Sequence, residues 1–186
     1  MADSVKHDRI VLTYEDYLTL PNDRNRYEIL EGELVMTPSP TTVHQKVSQN
    51  LEFIIISYLR EHPVGSLYHA PVDVLLSDIS VVVPDILFVA QQRASLISER
   101  GIEGAPDLIV EILSPGTAKY DRVSKMQIYG KRGVEWYWIV DHKEKTIEEY
   151  HNEKGSFRLV RKASADEDFH PGLFPGLVIP LSKVWE

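Results

Sequence analysis

Two carboxylates and one lysine stand where their neighbours are apolar. Asp85 follows Pro84 at the head of ILFVA and shares a strand face with Leu87 and Val89. Glu111 lies inside DLIVEIL, with Ile109 and Leu113 on its own face and Val110 and Ile112 opposite. Strand side chains alternate between faces, so each acid is set among branched apolar groups. An ionised carboxylate there is costly unless it is paired, hydrogen-bonded or metal-bound. If the two strands are neighbours, both acids converge on one hard cation, an arrangement suited to Mg2+. The plainer alternative is two satisfied polar residues that bond a helix N-terminus or an arginine.

Lys125 shares a helical stripe with Asp121, Ile128 and Tyr129. It is either a cation aimed at the carboxylates or half of an ordinary Asp121–Lys125 surface pair, worth about 0.3 kcal/mol. The same helix carries Lys119, Arg122, Lys131 and Arg132 against the single acid Asp121. In an acidic protein that is a candidate phosphate-binding face, or simply a solvated one. His44 falls on the apolar side of a long helix with Val47, Leu51 and Ile55. It is a satisfied core histidine, or a group that positions phosphate or shares a proton. Glu28, Glu31 and Glu33 lie on one hairpin; the pattern favours a solvated strand face, with Glu28 as a further metal ligand the alternative.

The elements that must position these groups are readable from periodicity and turn residues. A short helix over 13–20 is capped by Thr13 and stopped by Pro21. Residues 26–37 form two strands about Glu31-Gly32. Residues 42–60 repeat apolar groups at three- and four-residue steps, the pattern of an amphipathic helix. Strands are expected over 66–76, 81–90 and 107–113, the last covered on both faces. A helix over 117–132 ends at Gly133, followed by a strand at 135–141, a hairpin over 145–150 and 156–161, and a last strand at 176–180. This order predicts an α/β (α+β) fold, a mixed central sheet flanked by helices with an extra N-terminal hairpin and C-terminal strands.

The 186 residues, 43% hydrophobic and 26% charged, suit one globular domain over 1–186. The absence of cysteine excludes a disulfide scaffold, a zinc ribbon and a thiol nucleophile. A net charge of −8 means that nucleic acid must be met through a local basic patch or a metal ion. Charges in MADSVKHDRI where a signal would be apolar, and no run near the roughly 20 apolar residues a span requires, predict a cytoplasmic protein off the membrane. GxSxG, GxxxxGK[ST], GxGxxG and HExxH motifs are absent. Paired carboxylates also suit glycoside hydrolysis, but few aromatics stand in the candidate loops and the nearby lysine suits phosphate better.

Taken together, PDILFV and PDLIVEILSPGTAKYDRVSKMQIYGKRGVEWYWIVD, preceded by RYEILEGELV and a helix opening on VHQKV, resemble a large bacterial family of restriction-endonuclease-like proteins. These are distant members of the PD-(D/E)XK nuclease superfamily. The resemblance spans about 26–141 and continues weakly through FPGLVIPLSKVW. It implies a core of a helix, three strands, a helix and a strand. It also implies a metal-dependent endonuclease hydrolysing phosphodiester bonds in DNA, with Mg2+ (Mn2+ as substitute) held by Asp85, Glu111 and the carbonyl of Ile112. Leu113 occupies the superfamily's usual lysine position, and Lys125 matches a lysine that the family takes from the following helix. Its implied work is to orient the attacking water or stabilise charge on phosphorus. His44 and Glu28 match accessory family positions. Leu113 leaves open a catalytically silent module that binds nucleic acid or protein, and the same site could serve another phosphate ester. A homodimer is expected, because cutting both strands pairs two sites and one small chain offers little surface to a duplex.

Overall fold

The computed structural model describes residues 10–21, 23, 25–116 and 118–186. The reading of the first nine residues and the start of a helix at Thr117 therefore lie outside the described residues. Helix α1 (Tyr14–Tyr17) carries the Thr13 cap, with Asp16 bonding back to the Thr13 backbone. It is shorter than expected: past Tyr17 the chain closes in i→i+3 turns, with the Thr19 N–H on the Asp16 carbonyl and the Leu20 N–H on the Tyr17 carbonyl, ahead of Pro21. Strands β1 (Arg26–Leu30) and β2 (Glu33–Thr37) pair about Glu31 and Gly32, whose φ values of 51° and 83° suit the tight turn of such a hairpin. Helix α2 (Thr42–Glu61) starts at Thr41, whose hydroxyl accepts the His44 N–H.

Two of the expected strands are each divided by a proline. Residues 66–76 become β3 (Gly65–His69) and β4 (Val74–Ser77), and residues 81–90 become β5 (Ser80–Val82) and β6 (Ile86–Ala90). Pro71 and Pro84 cannot donate to a ladder, so pairing stops there and the two halves join different sheets. Short strands β7 (Ile97–Ser98) and β8 (Gly101–Ile102) precede β9 (Leu108–Ile112). A π-helical turn, Tyr120–Lys125, runs into α3 (Met126–Arg132), which ends on Gly133 at φ 90°. Strands β10 (Trp136–Asp141), β11 (Thr146–Glu153) and β12 (Ser156–Ser164) follow, then β13 (Asp168–Phe169), β14 (Ile179–Pro180) and α4 (Leu181–Val184).

One six-stranded sheet runs β12-β11-β10-β9-β6-β3, parallel at β9–β10 and antiparallel elsewhere. A second runs β2-β1-β5-β4-β8-β7, and β13 pairs β14. The expected mixed central sheet, N-terminal hairpin and C-terminal strands are all present, and the structure adds a second sheet. The hairpin is built into that second sheet through β1–β5, where Ile29 faces Val81.

Alternation along the central strands sorts two apolar layers. Phe88, Val110, Ile112 and Trp138 pack with Leu51 and Ile55 of α2 and with the C-terminal segment. Leu87, Ile109 and Ile139 pack instead against Leu30, Val82 and Ile102 of the second sheet and Ile128 and Tyr129 of α3. Each fully buried side chain of this kind contributes about 1.5–3 kcal/mol. Glu111 belongs by register to the second layer, beneath α3. Among the described residues no helix is long and apolar enough to cross a membrane.

Candidate active site

Strands β6 and β9 are antiparallel neighbours, with Ile86 opposite Val110. Asp85 precedes β6 by one residue and so meets the far end of β9, where the Ile112 N–H donates to its Oδ2 at 2.8 Å. The same oxygen lies 3.1 Å from His44 Nε2, and Oδ1 accepts from Arg26 Nη1 at 3.2 Å. Burial alone would raise the Asp85 carboxyl; His44, then Arg26 and the Ile112 amide, outweigh it and hold the group below the usual carboxylate range. His44 is thus both buried and engaged, delivered from the first turn of α2, while its Nδ1 is buried without a partner among the described residues.

Lys125 is 2% exposed, and its Nζ lies 3.0 Å from Glu28 Oε1, 3.0 Å from Glu111 Oε1 and 3.6 Å from Asp121 Oδ1. The alternative of an ordinary solvated Asp121–Lys125 pair is therefore overturned. So is the solvated strand face for Glu28, which is 0% exposed and accepts the Val83 N–H at 2.8 Å. β1 is an interior strand of the second sheet, and Glu28 leaves it on the side covered by Lys125 and the Val83 backbone rather than by water. Its Oε2 is buried with no hydrogen-bond partner among the described residues.

The π turn is the local device that aims these groups. Its wider winding turns both Asp121 and Lys125 inward, and the Tyr137 hydroxyl donates to the Asp121 carbonyl at 3.0 Å. Burial pushes the Glu111 carboxyl up to about 8; Asp121, Asp85 and Glu28 push the same way, and Lys125 opposes them. Burial would lower the Lys125 ammonium, but Glu111, Glu28 and Asp121 together raise it. The candidate phosphate-binding face of this helix is largely neutralised. Arg122 pairs with Glu148 at 2.7 Å, Arg132 with Glu31 at 2.8 Å, and Lys125 points inward.

Asp85, Glu111, Lys125, His44 and Ile112 meet at one cavity of about 260 Å3, and Glu28 reaches it through Lys125. Two contributors escaped the sequence reading. Arg26 lies 59 residues from Asp85, and nothing local marks it. Tyr129 stands on the Lys125 stripe, a visible signal, and its hydroxyl donates to Glu111 Oε1 at 2.7 Å. Tyr129→Phe should lower stability by about 1–3 kcal/mol in urea unfolding, since it leaves a buried carboxylate short of a donor. An unchanged midpoint would mean that Lys125 alone satisfies Glu111.

A bare hard-cation site needs oxygen donors, and this one offers carboxylates throughout. Four acids, Glu28, Asp85, Glu111 and Asp121, are buried against Lys125, Arg26 and a histidine. That excess of acid, with Asp85, Glu111 and Asp121 all on the cavity wall, fits a divalent ion. No group of three or more His, Cys, Asp or Glu residues is already spaced as a metal cage among the described residues.

A model of the family Uma2, described as "Putative restriction endonuclease", matches residues 14–182, a span that contains every residue of this cavity. A crystal structure of a "putative nuclease belonging to DUF820" from Anabaena variabilis matches with a TM-score of 0.77 and 21% identity, covering 94% of this chain and 97% of that one. At that identity the likeness establishes the shared fold. No curated protein matches.

Proposed function

The chain belongs to the Uma2 family, and on that membership and the chemistry of its buried acids we propose that it is a divalent-metal-dependent endonuclease hydrolysing phosphodiester bonds in DNA. The single observation that carries the reading is a surplus of carboxylates closed around Lys125 beside a cavity. Asp85, Glu111 and the Ile112 carbonyl would hold Mg2+, or Mn2+ in its place. In an extended strand N–H and C=O of one residue point to the same side, so the Ile112 amide on Asp85 supports its carbonyl as a ligand. The bound ion supplies a polarised phosphoryl oxygen and an acidified water.

This chain's own groups do the rest. Lys125 orients the attacking oxygen and stabilises charge developing on phosphorus, from a site dry enough to strengthen it. His44 keeps Asp85 aimed into the cavity and Glu28 holds Lys125 in place. Arg26, on the cavity wall, is a cation for the phosphate. A cytoplasmic homodimer that pairs two such sites across a duplex belongs to the same proposal.

A second reading, a catalytically silent module that binds nucleic acid or protein, is favoured by two observations. Both oxygens of Asp85 are already engaged, and Leu113 stands where the superfamily lysine would be. Plasmid DNA, single-stranded DNA and RNA incubated with Mg2+, Mn2+ or EDTA decide between them. Metal-dependent scission of DNA, abolished by EDTA, is the expected outcome. No cleavage of any substrate, together with no calorimetric heat from Mn2+, would leave the silent module.

A further inference from the structure

A second cavity, of about 760 Å3, opens beside the acid site and shares Arg26, Ser39 and Pro40 with it. Its walls have a different chemistry. Tyr17 and Tyr27 supply aromatic rings, Pro71 and Val83 apolar surface, and Gln45 and Asp73 polar ends. Tyr17 donates its hydroxyl to Asp73 Oδ1 at 2.8 Å, and the main-chain carbonyl of Asp73 accepts the Ile102 N–H at 2.8 Å, so the residue is anchored through its backbone and through one carboxylate oxygen. A carboxylate has about four lone-pair sites, and most of its capacity remains after one hydroxyl. Volume, aromatic lining and a few fixed polar groups are those of a small-ligand pocket. Arg26 ties the two cavities together, its guanidinium on Asp85 and its side chain 21% exposed.

We propose that this cavity receives a base of the substrate strand, turned out of its stack next to the phosphate at the acid site, and that Asp73 selects guanine. The inference rests on the nuclease reading above and names the substrate that reading leaves open: a strand with an unpaired guanine beside the cut. A base standing out of the stack is held by flat side chains and read on its hydrogen-bonding edge. Guanine presents two adjacent donors on that edge, which match the two oxygens of one carboxylate. Uracil and thymine present one donor between two acceptors, which a carboxylate repels.

The test uses the full chain in EDTA, with guanosine and uridine as probes in ligand-observed NMR. Guanosine is expected to bind at least about tenfold tighter than uridine, and Asp73→Asn, which exchanges an acceptor for a donor, to erase that preference. Tyr27→Leu should weaken both nucleosides roughly fivefold or more through lost stacking; it gives a second readout if the Asp73 variant does not fold. Equal binding of the two nucleosides, no binding, or a preference that survives Asp73→Asn overturns the inference. Because no metal is present, the two readings fail separately. Guanosine selection without any DNA cleavage would sink the nuclease and keep the pocket, and cleavage without guanine selection would do the reverse.

Discussion

The Lys125→Met variant is expected to lose about 3–5 kcal/mol of folding stability at neutral pH, the usual consequence of removing one partner from a buried ionic cluster. Methionine fills much of the same space, so little of the loss is cavity formation. The loss is electrostatic: Glu28, Glu111 and Asp121 remain buried around the vacated position. Glu111 Oε1 accepts from both Lys125 and Tyr129, and Glu28 and Asp121 lie against the same ammonium, so its removal leaves three acids without their shared cation. In the variant the Glu111 carboxyl, raised by burial and no longer opposed by the Lys125 ammonium, has a folded pKa above its unfolded one. Its protonation therefore supports the fold in acid, and that support is lost as pH rises through the folded value. The deficit relative to the native chain should be smallest near pH 5 and grow toward pH 8 in urea titrations. Saturating Mn2+ should return about 2.7 kcal/mol at a hundredfold excess over its dissociation constant, if the acids hold the ion. A loss below about 1 kcal/mol, flat with pH, would show that the cluster carries little net charge.

Asp85→Asn is expected to weaken Mn2+ binding more than about 100-fold and to bring metal-dependent cleavage below detection. Removing a supporting group around a metal site already costs 10–100-fold, and an amide oxygen lacks the charge that a hard cation requires. Asparagine keeps the size of the side chain and an oxygen for the Ile112 amide, so the strand end should stay in place. Arg26→Ala is the informative contrast. It frees Asp85 Oδ1 from a competing guanidinium at 3.2 Å, so Mn2+ should bind more tightly while cleavage slows for want of a phosphate cation. Native-like Mn2+ affinity in Asp85→Asn, measured by calorimetry, would falsify the site assignment.

Much of the framework depends on residues close in sequence, and that part was legible. The three- and four-residue repeat from Val43 to Tyr58 marks α2, the Thr13 cap marks α1, Glu31-Gly32 marks the hairpin and Gly133 the end of α3. The double-sided apolar run around Glu111 marks β9 as a central strand. These rest on turn geometry and side-chain direction, which a few neighbouring residues decide. Pro84 cannot donate to a ladder and so suits a strand start or an edge, and it stands just ahead of β6. Pro71 and Pro84 interrupt apolar runs that look continuous, yet each divides a strand between two sheets.

The site is a different matter. By sequence alone Glu28 resembles Glu31 and Glu33, and Lys125 an ordinary partner of Asp121. The pairing of β1 with β5 and of β6 with β9, with the π turn laid across them, makes one buried cluster of these groups. The types and order of the reactive residues were therefore set by the sequence itself, but their charge state, their burial and the entry of Arg26 and Tyr129 were decided by strand neighbours far apart in the chain. The cost of an ionised side chain depends on everything that covers it, and no local pattern records which distant segment that will be.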